Sequence, residues 1–147
     1  MKHISTASRC LRPGGRLIVS CGGKGNAQEV FVVLRGRMRV KRWRDYFRKV
    51  KAPYYFHRPE DYEGWLSRGG FRPERIVLSP KDTAFTRGEL AAWLRTTWLP
   101  YTQRVPISAR EEFIADVVSR YLLKHAPDGM GRTHVRMVRL ELDAVKL

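Results

Sequence analysis

The stretch that most limits the fold is "RLIVS", Arg16 to Ser20, set between the turns "RPGG" and "CGGKGN". Its apolar residues stand together without alternation, which is how a strand buried on both faces of a parallel sheet reads. Pro13 fixes its own φ and Gly14 or Gly15 can take positive φ, so the strand is entered through a tight turn. It leaves through a glycine loop. There Asn26 and Glu29, three residues apart, form a capping-box pair for a helix carrying Val30, Val33 and Leu34.

The rest of the chain alternates between the two periodicities. Ile4, Ala7 and Leu11 stand at helical spacing ahead of the first turn. "RPEDYEGWLSRGGF" predicts a helix with Pro59 in its first turn, Glu60 and Asp61 at its positive end and Gly69-Gly70 as its stop. A strand is expected over Arg75 to Ser79. Thr86 and Glu89 cap a helix that Pro100 stops, and Ser108 and Glu111 cap another bearing Phe113, Ile114, Val117, Val118, Tyr121 and Leu122. In the last strand the apolar phase shifts from Val135 and Met137 to Val138, Leu140 and Leu142, as a bulge near Met137 would produce. The order β-α-α-β-α-α-β gives an α/β class, with a sheet thinner than most.

With 147 residues, 43% of them hydrophobic, a single packed domain over 1–147 is expected. No apolar run approaches the ~20 residues needed to span a bilayer, and "MKHISTASRC" lacks the core of a secretory signal. Cys10 and Cys21 form no CxxC pair, so a reducing cytoplasm is the expected setting. The charge is strongly positive: 29 Lys+Arg against 14 Asp+Glu, formally +15. Between Arg35 and Lys51 the acid Asp45 stands alone among Arg35, Arg37, Arg39, Lys41, Arg42, Arg44, Arg48, Lys49 and Lys51. Such a segment, interleaved with Trp43, Tyr46 and Phe47, suits phosphates and stacked bases. The competing expectation is a solvated face whose aromatics, at i, i+3 and i+4, pack inward.

"CGGKGN" lies where a phosphate loop would, between strand and helix, and Lys24 adds charge. Its spacing is neither GxGxxG nor GxxxxGK[ST], and no acid follows ~20 residues on, so a tight turn is expected rather than a nucleotide site. His3, His57, His125 and His134 are scattered without metal-ligand spacing, and Glu60-Asp61 and Glu111-Glu112 read as helix-dipole acids. No catalytic set is proposed from them. "WLRTTWLPY" is the stronger candidate: Arg95 with Trp98 and Tyr101 suits a carboxylate-bearing ligand, because a guanidinium binds carboxylates bidentately. Tyr54 and Tyr55 are candidates for the same pocket, and packing into the core is the alternative for Trp93 and Trp98.

Taken whole, "LRPGGRLIVSCGGKGN" resembles the segment around the fifth strand of class I S-adenosylmethionine-dependent methyltransferases, in the trans-aconitate methyltransferase-like branch. "PYYFHRPEDYEGWLSRGGF" is similar to that branch's helix before strand six. "LRTTWLPYTQRVP" with "REEFIADVV" is similar to its substrate-side helices. The resemblance runs from Leu11 to Lys146. It implies a partial Rossmann-like sheet, with strands equivalent to five, six and an antiparallel seven, in the family order 3-2-1-4-5-7-6. It also implies acceptor-side roles for Arg95, Trp98, Tyr101, Tyr55 and Asn26. The family's S-adenosylmethionine loop has no counterpart among these residues, so no cofactor-binding residue is assigned.

The resemblance thus implies the C-terminal half of a small-carboxylate O-methyltransferase, truncated or split, and inactive alone. One alternative is a half-subunit completed by a separate N-terminal chain; another is a basic nucleic-acid-binding module using 35–51. An open edge on Arg16 to Ser20 would favour a homo-oligomer or that N-terminal half as partner.

Overall fold

Local chemistry sets the fourth helix as the sequence predicts. In a computed structural model describing residues 2–147, with side chains from Ile4 onward, the Glu89 N–H donates to Thr86 Oγ1 at 3.3 Å. The Thr86 N–H donates to Glu89 Oε2 at 2.8 Å. The elements in order are α1 (Lys2–Cys10), β1 (Arg16–Gly22), α2 (Gln28–Met38), a 3-10 turn at Arg44–Phe47 and α3 (Pro59–Arg68). They continue with β2 (Phe71–Phe85), α4 (Arg87–Thr97), α5 (Leu99–Thr102), α6 (Ile107–Lys124) and β3 (Thr133–Lys146). The class is α/β. The three strands lie in the order β1-β3-β2, with β3 antiparallel to β1. That is the arrangement implied for strands five, seven and six.

Two compact units divide the chain. The first, a sheet unit, comprises the residues up to Asn26, Tyr55–Lys81 and Met137–Leu147. Its core is Ile4 from α1, Leu66 from α3, and Phe71, Leu140, Leu142 and Ala144 from the strands, with Leu17, Val19 and Cys21 of β1 against it. Pro59 starts α3 and the Asp61 carboxylate accepts the Arg58 N–H at 2.9 Å. The "RPGG" turn forms as expected, with Gly14 at φ 81 and its N–H donating to Lys146 O at 2.8 Å.

β1 corrects one expectation. Its side chains alternate between partly buried and exposed, and Ile18 is 73% exposed. The run is apolar on both sides, but α1 and α3 supply a core to one. The neighbour that β1 does have is antiparallel. β2 is longer than expected, because its charged flanks, unreadable as an alternating pattern, still pair in the sheet.

The second unit, Ala27–Tyr54 with Asp82–Arg136, is helical. The apolar stripe of α6 (Phe113, Ile114, Val117, Val118 and Tyr121) is buried throughout. It packs against α2, which contributes Val30, Val33 and Leu34, and α4, which contributes Leu90 and Leu94. Each such side chain contributes about 1.5–3 kcal/mol by leaving water. The Tyr121 hydroxyl donates to His134 O at 2.7 Å, and burial pushes its pKa up to about 12.

Three caps differ from expectation. Ala27, at φ 48, precedes α2 and makes no side-chain cap; Asn26 instead turns its Oδ1 to the Val138 N–H at 2.8 Å. Pro106, not Ser108, stands at the cap of α6, and Glu111 is drawn away to Arg95. α4 ends at Thr97 before Pro100 is reached, and Pro100 sits in the first turn of α5. In β3 the burial phase does shift at Arg136–Met137, from Val135 inward to Val138, Leu140 and Leu142 inward.

Candidate functional site

The end of α4 and the short α5 turn an aromatic wall inward within the helical unit. Phe31 of α2 meets the Trp98 ring edge-on at 4.6 Å between centroids, and Tyr54 and Tyr101 each stand 6.3 Å from Phe31. Trp93 extends the wall, 5.5 Å from Trp98. Such edge-to-face pairs are each worth about 0.5–1.5 kcal/mol beyond their burial. The Tyr54 hydroxyl donates to Thr97 O at 2.7 Å, tying the 3-10 turn's following loop to the end of α4. Desolvation raises the hydroxyl pKa of both Tyr54 and Tyr101.

Trp98 is 3% exposed, so the core alternative holds for it, but its Nε1 is buried without a hydrogen-bond partner. The side chains beside it are apolar apart from Thr102, whose hydroxyl is turned to Trp98 O at 3.4 Å, and they close without room for a water molecule. An orphaned indole N–H costs about 1–3 kcal/mol.

Arg95 stands on the last turn of α4 and forks onto Glu111, Nε to Oε1 at 2.8 Å and a terminal nitrogen to Oε2 at 2.6 Å. Their hydrogen bonds raise the guanidinium pKa and lower that of the carboxyl. The bidentate carboxylate geometry expected of Arg95 is therefore present, filled by the protein's own glutamate. The other two candidates lie in the sheet unit. Tyr55 is 70% exposed and stacked near His57 at 6.4 Å; Asn26 is committed to Val138.

The glycine loop after β1 is packed against the sheet unit. A Cβ on Gly22 would meet the Phe56 ring at 2.5 Å, and one on Gly23 would meet Leu78 at 2.4 Å. Three of its amides are spent within the protein, Gly23 N–H on Val138 O, Lys24 N–H on His57 O and Asn26 N–H on Gly23 O. These glycines serve close packing, not a phosphate.

In the basic segment, Trp43 and Phe47 are buried against Phe113. Asp116 Oδ2 accepts the Trp43 indole at 2.7 Å and Arg37 Nε at 2.9 Å. Arg42 pairs with Glu112, and Arg48 with Asp45 at 2.8 Å. Tyr46, at 40% exposure, is what remains for stacking, while Arg39, Lys41, Lys49 and Lys51 face solvent.

Sequence reasoning missed Phe31, which falls outside the Val30, Val33, Leu34 stripe. It also read His134 as an isolated strand residue. His134 lies between two carboxylates, Nδ1 to Asp82 at 2.5 Å and Nε2 to Asp128 at 3.1 Å. The two ring nitrogens point opposite ways, so the three side chains cannot chelate one ion. Both contacts raise the His134 pKa.

No family model matches the chain, and no curated protein matches it. Among solved structures it is similar to a candidate methyltransferase from Bacillus halodurans C-125, at 17% identity and a TM-score of 0.49, over 97% of this chain and 56% of that one. It is also similar to phosphoethanolamine N-methyltransferase 2 from Haemonchus contortus, at 16% identity and a TM-score of 0.39, over 99% of this chain and 29% of that one. The chain spans little more than half the length of the first and less than a third of the second. Likenesses at these scores do not assign it to a family.

Proposed function

We propose that the chain forms the acceptor side of a class I S-adenosylmethionine-dependent methyltransferase acting on a small carboxylate. The observation that carries this reading is the strand order β1-β3-β2 with β3 antiparallel, joined to the motifs around β1, α3 and α4. The family's S-adenosylmethionine loop has no counterpart among these residues, and the glycine loop after β1 is packed against Phe56 and Leu78. No transfer step is assigned to this chain. Its part is orientation, since methyl transfer rests mainly on holding the acceptor oxygen against the methyl group.

In this reading Arg95 receives the acceptor carboxylate by exchange with Glu111, and Trp98 and Tyr101 wall the site within the helical unit. An NMR titration of the 147-residue chain tests this. A tricarboxylate should shift the Trp98 indole and Arg95 Nε–H signals at millimolar concentration, and S-adenosylmethionine should shift nothing. Tricarboxylate shifts confined to other residues, or tight S-adenosylmethionine binding, would overturn it.

A further inference from the structure

The basic segment between Arg35 and Lys51 packs and stays charged at the same time. Its apolar side turns inward: Trp43 and Phe47 lie on Phe113 of α6, and Tyr46 is left outside at 40% exposure. Turn hydrogen bonds coil the backbone, from Val40 N–H to Arg37 O at 3.1 Å, Arg44 N–H to Val40 O at 2.9 Å and Val50 N–H to Phe47 O at 3.2 Å. The cations are therefore gathered on a short, braced stretch instead of being strung along an extended chain.

Carboxylates divide those cations into two sets. Asp116 holds Arg37, Glu112 holds Arg42, and Asp45 holds Arg48, with Arg44 at 3.7 Å. Arg39, Lys41, Lys49 and Lys51 are exposed and form no ion pair among the described residues. Acids elsewhere in the helical unit are already committed, Glu111 to Arg95, Asp82 and Asp128 to His134, and Glu89 to the cap of α4. The second set thus lacks an internal counter-charge, and what it attracts is an anion.

We propose that this segment binds single-stranded nucleic acid, with phosphates on Arg39, Lys41, Lys49 and Lys51 and a base on the Tyr46 ring. A duplex keeps its base faces stacked inside, so it offers an exposed ring nothing to stack on. An anionic bilayer offers charge, but entering it takes an apolar face, and this segment has turned its own onto α6. The inference rests on the helical unit alone and is independent of the methyltransferase reading.

Fluorescence anisotropy of a labelled single-stranded RNA about 20 nucleotides long, titrated with the full chain, tests it. One phosphate per unpaired cation predicts an affinity that falls about fiftyfold between about 50 and about 200 mM salt. Arg39→Gln, Lys41→Gln, Lys49→Gln and Lys51→Gln together should remove most of that dependence. Tyr46→Ala should weaken binding about fivefold or more and leave the salt dependence unchanged. A control changes as many exposed cations of the sheet unit to Gln, namely Arg9, Arg12, Lys24 and Arg139, and should bind nearly as the native chain does. Three results would each overturn the proposal. One is no binding at about 50 mM salt. Another is an equal loss in the control, which would make the overall +15 responsible. The third is indifference to Tyr46→Ala or equal binding of phosphatidylserine vesicles, either of which would mean that any anionic surface serves.

Discussion

In the sheet unit the burial falls on one side of a three-stranded sheet. The opposite side carries exposed ion pairs, Arg16 with Asp143 and Arg75 with Glu141 at 3.3 Å, and Phe71 is its buried aromatic. In the helical unit Trp43, Phe47, Trp98, Tyr101, Phe113 and Tyr121 are all buried, and polar atoms are drawn in with them. The difference separates two ways of being basic. Exposed pairs on the sheet contribute little to stability, whereas Arg37 in the helical unit is anchored on the carboxylate that also holds a buried indole.

The contrast breaks most sharply at Phe113, which is fully buried and touches both Trp43 and Phe47. Phe113→Ala should cost about 3–5 kcal/mol in denaturant unfolding; a loss under about 1 kcal/mol would mean that the aromatic cluster is not a packed core. Asp116→Ala should come next, at about 1–3 kcal/mol, because it strands the Trp43 N–H. Asp45→Ala, on the same basic segment but exposed, should change little, and equal losses would erase the distinction between anchored and surface charge.

Thr86→Ala removes the reciprocal cap of α4 and should cost about 1 kcal/mol, read from the same unfolding curves.

The smallest effect is that of pH at His134. Its pKa is raised by Asp82 and Asp128, so the stability it adds is complete below the ordinary histidine value, ~6.5, and is lost as pH rises through the raised native value. Asp128 is lowered, first by the Arg132 N–H and then by His134, so its contribution is complete above the ordinary carboxylate value and fades as pH falls through the lowered one. Melting curves from pH 4 to 9 should decline at the alkaline side for the native chain and flatten there for His134→Gln. Parallel profiles would remove the histidine from the account.

What the sequence made legible was local. Thr86 with Glu89, Pro59 at the start of α3, the α6 stripe and the phase change at Met137 each depend on neighbours a few residues apart. What it hid depended on distant partners. Glu111 is a good capping acid at its spacing, yet a guanidinium sixteen residues away takes it. Asn26 is a good cap residue, yet Val138 offers its N–H from the far end of the chain. Ile18 looks like core because apolar residues surround it, and only the placement of α1 and α3 decides that one face goes bare. Of the candidate site, Trp98 and Tyr101 stand three residues apart and do pack together, but nothing local shows that Arg95 already holds a carboxylate.

The two deeply buried indoles carry a practical consequence. Trp43 shares its proton with a carboxylate and Trp98 shares its proton with nothing, so their N–H resonances should lie far apart, the first well downfield. Neither proton can exchange with solvent until the helical unit opens. Trp65, half-buried between Tyr62 and His57, is the corresponding lamp in the sheet unit. A single spectrum followed through unfolding thus reads each unit by its own chromophore, without any label being added.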